Sequence, residues 1–207
     1  MPPANPKRSP RDLLVPRPAP RDVTAAVGVG GSAPAPRSYE LFGMAPEAKR
    51  VLSSGPGYTV MEDPYGRTFR AEGVRPWRNK NPGNIKTVTS FAREHGAIGE
   101  EDGYAVFPTE AVGMQALRTL LFQPDSKYRN MSPGEVVEKF APPEDQNDTK
   151  AYQAFVNKQL GTSAPVNQLK PTQREALLNA ILRYEGYPRA GSVQMGGASW
   201  KARATAK

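Results

Sequence analysis

Prolines recur every few residues from Pro2 to Pro56, and between them no hydrophobic run exceeds Leu13, Leu14 and Val15. A segment of this kind cannot bury enough apolar surface to offset the entropy of an ordered chain, so residues 1–57 are expected to form an extended or disordered arm. Within it, only residues 39–52 carry a pattern compatible with a short helix. The rest of the chain suits one ordinary domain. Residues 58–74 alternate polar and apolar positions around Asp63, Pro64, Tyr65 and Gly66, which reads as a small hairpin or linker. The domain proper is expected at residues 75–188, and the glycine-rich, basic residues 189–207 are expected as a loose tail.

The domain is punctuated as a series of helices. Residues 109–122 place Val112, Ala116, Leu117, Leu120 and Leu121 on one face, with Thr109 as N-cap and Pro124 beyond the end. Residues 132–140 open with the capping box Ser132 and Glu135, with Pro133 at the first helical position. Residues 149–160 align Tyr152, Phe155, Val156 and Leu160 before Gly161. Residues 172–185 open with Thr172 and Glu175 as a second capping box and align Leu178, Ile181, Leu182 and Glu185 before Gly186 and Pro188. The fold class expected is mainly α.

Composition removes whole classes of chemistry. There is no cysteine, so no disulfide framework, thiolate zinc site or cysteine nucleophile can form. The single histidine, His95, leaves neither an imidazole zinc site nor an evident catalytic triad. No metal or cofactor is expected, and hydrolytic chemistry must rest on carboxylates. Lysine and arginine total 28 against 20 aspartates and glutamates, a net charge of +8. That balance favours anionic partners such as nucleic acid, a membrane surface or a cell wall. The excess is concentrated at the ends, in Lys7, Arg8, Arg11, Arg17, Arg21 and Arg37 and in Lys201, Arg203 and Lys207. No stretch approaches a membrane span, and the N-terminus lacks the apolar core of a secretory signal.

Glu185 is the most informative residue. Its spacing from Leu178, Ile181 and Leu182 puts its carboxylate in line with an apolar stripe. Desolvation there raises a carboxyl pKa, and a glutamate that keeps its proton can deliver it to a leaving sugar oxygen. The plainer reading is a frayed last turn, with Glu185 in water or paired with Arg189. The loop Asn79, Lys80, Asn81, Pro82, Gly83, Asn84, Ile85 supplies amides suited to sugar hydroxyls and equally to ordinary turns. The stretch from Pro142 to Thr149 combines Glu144, Asp145, Asn147 and Asp148, where Asp148 or Thr149 caps a helix. Tyr152, Tyr184, Trp77 and Tyr187 suit either sugar stacking or the core.

Taken in order, residues 78–86 (RNKNPGNIK), 105–108, 109–121, 139–152 (KFAPPEDQNDTKAY) and 180–186 (AILRYEG) resemble a domain of phage virion proteins. That family is described as having a lysozyme-like, lytic-transglycosylase-type fold. Its members carry an arginine, asparagine, proline, glycine, asparagine, isoleucine loop, an alanine-proline-proline turn before an asparagine-aspartate-threonine run, and a closing helix that ends in histidine and glutamate. Here Tyr184 stands where the histidine is expected and Gly186 where an asparagine often follows, while Glu185 matches. In glucosaminidase-type enzymes a similar loop follows the glutamate helix, whereas here the helix comes last. The resemblance thus implies a small, circularly permuted lysozyme-like domain that brings Glu185 close to Asn81 and Asn84.

What it implies functionally is a virion-associated enzyme that opens host peptidoglycan during genome entry, with Glu185 as general acid and Asn81, Asn84, Asn147 and Tyr152 shaping the cleft. Without a second carboxylate clearly opposite Glu185, transglycosylation by one acid and base is the better mechanism. Hydrolysis would draw on Asp148, Asp145 or Glu101. The arm would contact other virion proteins in the tail, baseplate or capsid interior, and the enzyme would act in the host periplasm or cell wall. The rival expectation is a structural virion protein whose domain no longer cleaves glycan. A nucleic-acid-binding role has only charge behind it, which gives salt-sensitive, non-specific binding.

Overall fold

Two short runs of alternating residues, joined by turn chemistry, begin the part of the chain that the computed structural model describes, residues 45–145, 147–187 and 191–196. Strands β1 (Arg50–Gly55), β2 (Tyr58–Glu62) and β3 (Thr68–Glu72) form an antiparallel meander. The β2–β3 turn closes on Asp63, whose Oδ1 accepts from the backbone N–H groups of Tyr65 and Arg67, both at 2.9 Å. After the helical part the chain returns as β6 (Ser192–Met195) beside β3, which gives a four-stranded sheet of order β1-β2-β3-β6. Ala48, Met61, Phe69, Ala71, Trp77 and Val106 form the core associated with this sheet.

Between β3 and β6 lie α1 (Arg75–Arg78), α2 (Phe91–Glu94), and the hairpin of β4 (Gly99–Glu101) and β5 (Tyr104–Val106). Four longer helices follow: α3 (Glu110–Phe122), α4 (Pro133–Phe140), α5 (Thr149–Leu160) and α6 (Pro171–Tyr184). Thr109 caps α3 and Ser132 and Glu135 form the box on α4. Asp148 caps α5, which ends on Gly161 in the left-handed region at φ 62°. The box of α6 lies two residues earlier than predicted: Gln173 Oε1 accepts from the Lys170 N–H at 2.9 Å, and Glu175 instead pairs with Arg118 on α3. Phe107, Leu117, Leu121, Val136, Tyr152, Val156, Leu177, Leu178 and Ile181 fill the main core.

The mainly α, lysozyme-like fold read from the sequence is therefore corrected. Six α-helices, a four-stranded antiparallel sheet and a two-stranded hairpin make a mixed α/β architecture among the described residues. The β2–β3 hairpin is the one expected over residues 58–74, but the other strands are three to six residues long, too short for a period to show. One of them pairs with a partner far along the chain, Phe69 opposite Met195. The region expected to be an arm contributes β1, and the region expected to be a loose tail contributes β6. Strand β1 also replaces the last part of the helix expected over residues 39–52, whose first part, like the rest of residues 1–44, lies outside the described residues. No described helix is long and apolar enough to cross a membrane.

Sheet and helices meet at a buried ionic knot. Glu101 accepts from Arg78 Nη2 at 2.8 Å, Arg75 Nε at 2.9 Å and Asn79 Nδ2 at 3.2 Å, while Asn79 Oδ1 accepts from the Thr59 hydroxyl at 2.7 Å. Burial pushes the Glu101 carboxyl up, but Arg78 and Arg75 outweigh it and hold it below the usual carboxylate range. The next residue, Lys80, is buried with its ammonium over the Phe69 ring, and desolvation pushes its pKa down to about 7.

The loop that follows lies directly on α3, because Gly113 and Gly83 leave no side chain between them. A Cβ on Gly113 would stand 2.0 Å from the Lys80 carbonyl, and one on Gly83 would stand 2.6 Å from Leu117. Gly113→Ala is therefore expected to lower the unfolding free energy by about 1–3 kcal/mol, the usual range for overpacking, in urea titration. Unchanged stability would mean that loop and helix are not locked together.

Candidate functional site

The site is built on the loop of residues 79–85 and the end of α6. Asn81 is wholly buried, and its side chain is taken up by the main chain: Nδ2 donates to the carbonyls of Ile85 and Ala105, both at 2.9 Å, and Oδ1 accepts from the Ile85 N–H at 2.8 Å. That clamp forces a tight reversal in which Asn84 takes a left-handed backbone, φ 49°, a conformation asparagine tolerates better than most residues. Its side chain is thereby directed across the domain.

Helix α6 delivers the other half. Leu177, Leu178, Ile181 and Leu182 are buried, and the helix is capped by Glu185 before Gly186 turns the chain at φ 76°. Asn84 Nδ2 donates to Glu185 Oε2 at 2.7 Å, across 101 residues of sequence. The Glu185 residue is half-buried, with its carboxyl the deeper end. Burial raises its pKa above the usual glutamate value, and the contacts with Asn84 and Tyr152 offset part of that rise. Among the described residues, the groups that shift it are Asn84 and Tyr152, neither of them a carboxylate.

Tyr152 reaches the same carboxyl from α5. Its ring lies flat against Tyr184, with centroids 3.7 Å apart and planes at 11°, and its hydroxyl is buried against the Glu185 carboxyl. The Tyr184 hydroxyl donates to the Asp148 carbonyl at 3.1 Å. A buried atom at the site, Asn84 Oδ1, has no hydrogen-bond partner. A buried amide oxygen without a partner, beside a carboxyl that Tyr152 already reaches, marks a place where a ligand's donor would be welcomed.

The structure thus brings Glu185, Asn84, Tyr152 and Tyr184 together and gives most of the other residues singled out in the sequence work elsewhere. Asn81 supports the loop without offering a free polar atom. Asn147 is exposed and donates to the Pro142 carbonyl at 3.1 Å, and Asp148 Oδ1 accepts from the Ala151 N–H at 3.0 Å as the cap of α5. Glu101 is committed to Arg75 and Arg78. Asp145 ends a 3-10 turn, and its side chain lies outside the described residues. Trp77 belongs to the sheet core, and His95 packs on Phe91. Three lysines that sequence reasoning passed over, Lys86, Lys127 and Lys139, border the groove that Asn84 also lines. They come from separate segments, so no spacing rule could have grouped them.

Among the described residues no cluster of three or more histidines or carboxylates is arranged to hold a metal ion. What the arrangement can do is hold one carboxyl in its protonated form to a higher pH than an ordinary glutamate, steady it by an amide, and release or recover a proton. Compared with models of protein families and with curated proteins, the chain matches none.

The raised pKa has a signed consequence for stability. The folded state retains the Glu185 proton after the unfolded chain has lost it, so the stabilising contribution is complete below the ordinary glutamate value and is lost as pH rises through the raised one. The stability of Glu185→Gln relative to the wild type is expected to increase across that window and then level off, as read by urea unfolding at a series of pH values. A difference that stays constant, or that changes in the opposite direction, would contradict the burial of the carboxyl.

Proposed function

We propose that this chain is a virion-associated peptidoglycan-degrading enzyme of the lytic-transglycosylase kind. The observation that carries the reading is the half-buried Glu185 at the end of α6, its pKa raised by burial and its carboxyl held by Asn84, with no second carboxylate acting on it among the described residues. The resemblance of the Asn79–Ile85 loop and the α6 terminus to phage virion proteins supplies the substrate class and the setting.

The chemistry follows from one carboxyl used twice. Protonated Glu185 gives its proton to the glycosidic oxygen as the bond to the anomeric carbon breaks, which suits a group kept neutral by desolvation. The resulting carboxylate then takes the proton of the muramoyl 6-hydroxyl as that oxygen closes on the same carbon. The products are a free 4-hydroxyl and a 1,6-anhydro end. No water is consumed, and the acid is restored. Asn84 Nδ2 steadies the carboxylate between the two steps, and the Tyr152 hydroxyl stands beside it. A hydrolase would need a second carboxylate to activate water or form the covalent intermediate. Glu101 is engaged with arginines and Asp148 caps a helix, so neither is set up for that role.

The test is digestion of purified peptidoglycan with mass analysis of the products. The wild type is expected to release fragments with 1,6-anhydro ends, one water lighter than hydrolysis products, and to lose activity as pH rises through the Glu185 pKa. Glu185→Gln is expected to slow release by about two to four orders of magnitude. Hydrolytic ends would move the mechanism to a two-carboxylate enzyme. Absence of release by either protein would favour a structural virion role.

A further inference from the structure

The ring that faces Tyr152 belongs to the residue next to the candidate acid. Tyr184 closes α6, and the last turn runs on into Glu185, whose N–H donates to the Ile181 carbonyl at 2.9 Å. Ring and carboxyl therefore share one helical turn. The ring lies flat on Tyr152, with centroids 3.7 Å apart, and Phe155 meets it at a tilt with centroids 6.0 Å apart. Tyr152 and Phe155 are three residues apart on α5, so they offer one face of that helix to the Tyr184 ring. The Tyr184 hydroxyl donates to the Asp148 carbonyl at 3.1 Å, and the Tyr152 N–H donates to the same oxygen at 3.0 Å. Tyr184 is thus fixed to Tyr152 at two places, ring on ring and hydroxyl beside main chain.

We infer that Tyr184 is a positioning residue, whose ring holds the Tyr152 hydroxyl against the Glu185 carboxyl from the very turn that carries that carboxyl. A phenol hydroxyl lies at the far end of its side chain, so a change of χ1 would carry it away from the carboxyl. The stacked ring bars that movement on one side, and Tyr152 is otherwise wholly buried. What the stack secures is a donor for the charged form of Glu185, since the Tyr152 contact offsets part of the rise that burial produces. The carboxylates that face the two tyrosines are Glu185 and Asp148, and burial, followed by these charges, pushes both phenols up, so both remain donors. The part of Tyr184 in catalysis rests on the glycan-cleavage reading of Glu185, whereas its hold on Tyr152 does not.

The ring carbon of Tyr152 that bears the hydroxyl, Cζ, reports the contact without any need for turnover. It is followed by NMR through a pH titration of the full-length chain grown with isotope-labelled tyrosine, its resonance being the one absent from Tyr152→Phe. In the wild type it is expected to shift as Glu185 ionises, and in Glu185→Gln that step is expected to be lost. Tyr184→Phe, which keeps the ring, should retain the step, and Tyr184→Leu, which removes the ring, should lose it. Tyr184→Met, equally free of a ring, answers the same question where Tyr184→Leu does not fold. The assignment is overturned by a wild type without the step, by an undiminished step in Glu185→Gln, or by a full step in the ringless variants. Loss of the step from Tyr184→Phe as well would overturn the ring as its cause. If the steps fall as expected but the wild type releases no fragments from peptidoglycan, the positioning stands and the glycan-cleavage reading falls.

Discussion

The side chain of Asn81 makes three hydrogen bonds to main chain, two to Ile85 and one to the carbonyl of Ala105, and the geometry of the site hangs from that clamp. A buried amide has to satisfy its donors and acceptor or cost the fold the full desolvation penalty, so the loop around it has little freedom. The clamp fixes the reversal that puts Asn84 in a left-handed backbone, and from there a single hydrogen bond spans the domain to Glu185. The close approach of α3 at Gly113 presses on the same loop from below. One face of the loop is thus a packing element, and the other positions an acid.

That division explains the roles of neighbouring asparagines. Asn79 belongs to the ionic knot with Glu101 and Arg78, which ties the sheet to the helical part, and Asn81 belongs to the loop itself. Asn84 is the one whose amide is shared between protein and site, with one atom on Glu185 and one unpartnered. Lys80, buried between them against Met61 and Phe69, shows how tightly the segment is packed, since desolvation has pushed its pKa down to about 7.

The sequence made the helices legible because their signals are local. Capping residues, a glycine stop and a repeating apolar stripe located α3 to α6 to within a few residues, and the stripe of Leu178, Ile181 and Leu182 singled out Glu185. Of the sheet, the β2–β3 hairpin was legible from its alternation and its turn residues, but β1 follows a proline-rich stretch, β6 lies in a glycine-rich one, and their pairing depends on partners that no local pattern names. The same limit applied to the site. Asn84 and Glu185 were picked out by residue type and motif, whereas the commitment of Asn81, Asn147 and Glu101 to the protein's own structure depends on contacts made only after folding.

The central claim is that folding turns Glu185 into a carboxyl that holds its proton beyond the ordinary glutamate range. It is tested most directly by following the side-chain carboxyl carbon of Glu185 by NMR through a pH titration, in the wild type and in Tyr152→Phe. The account expects a midpoint above the ordinary value of about 4.3 in the wild type, and a higher one in the variant, because Tyr152 pulls the carboxyl down. A wild-type midpoint at or below the ordinary value, or a variant midpoint that falls, would contradict it.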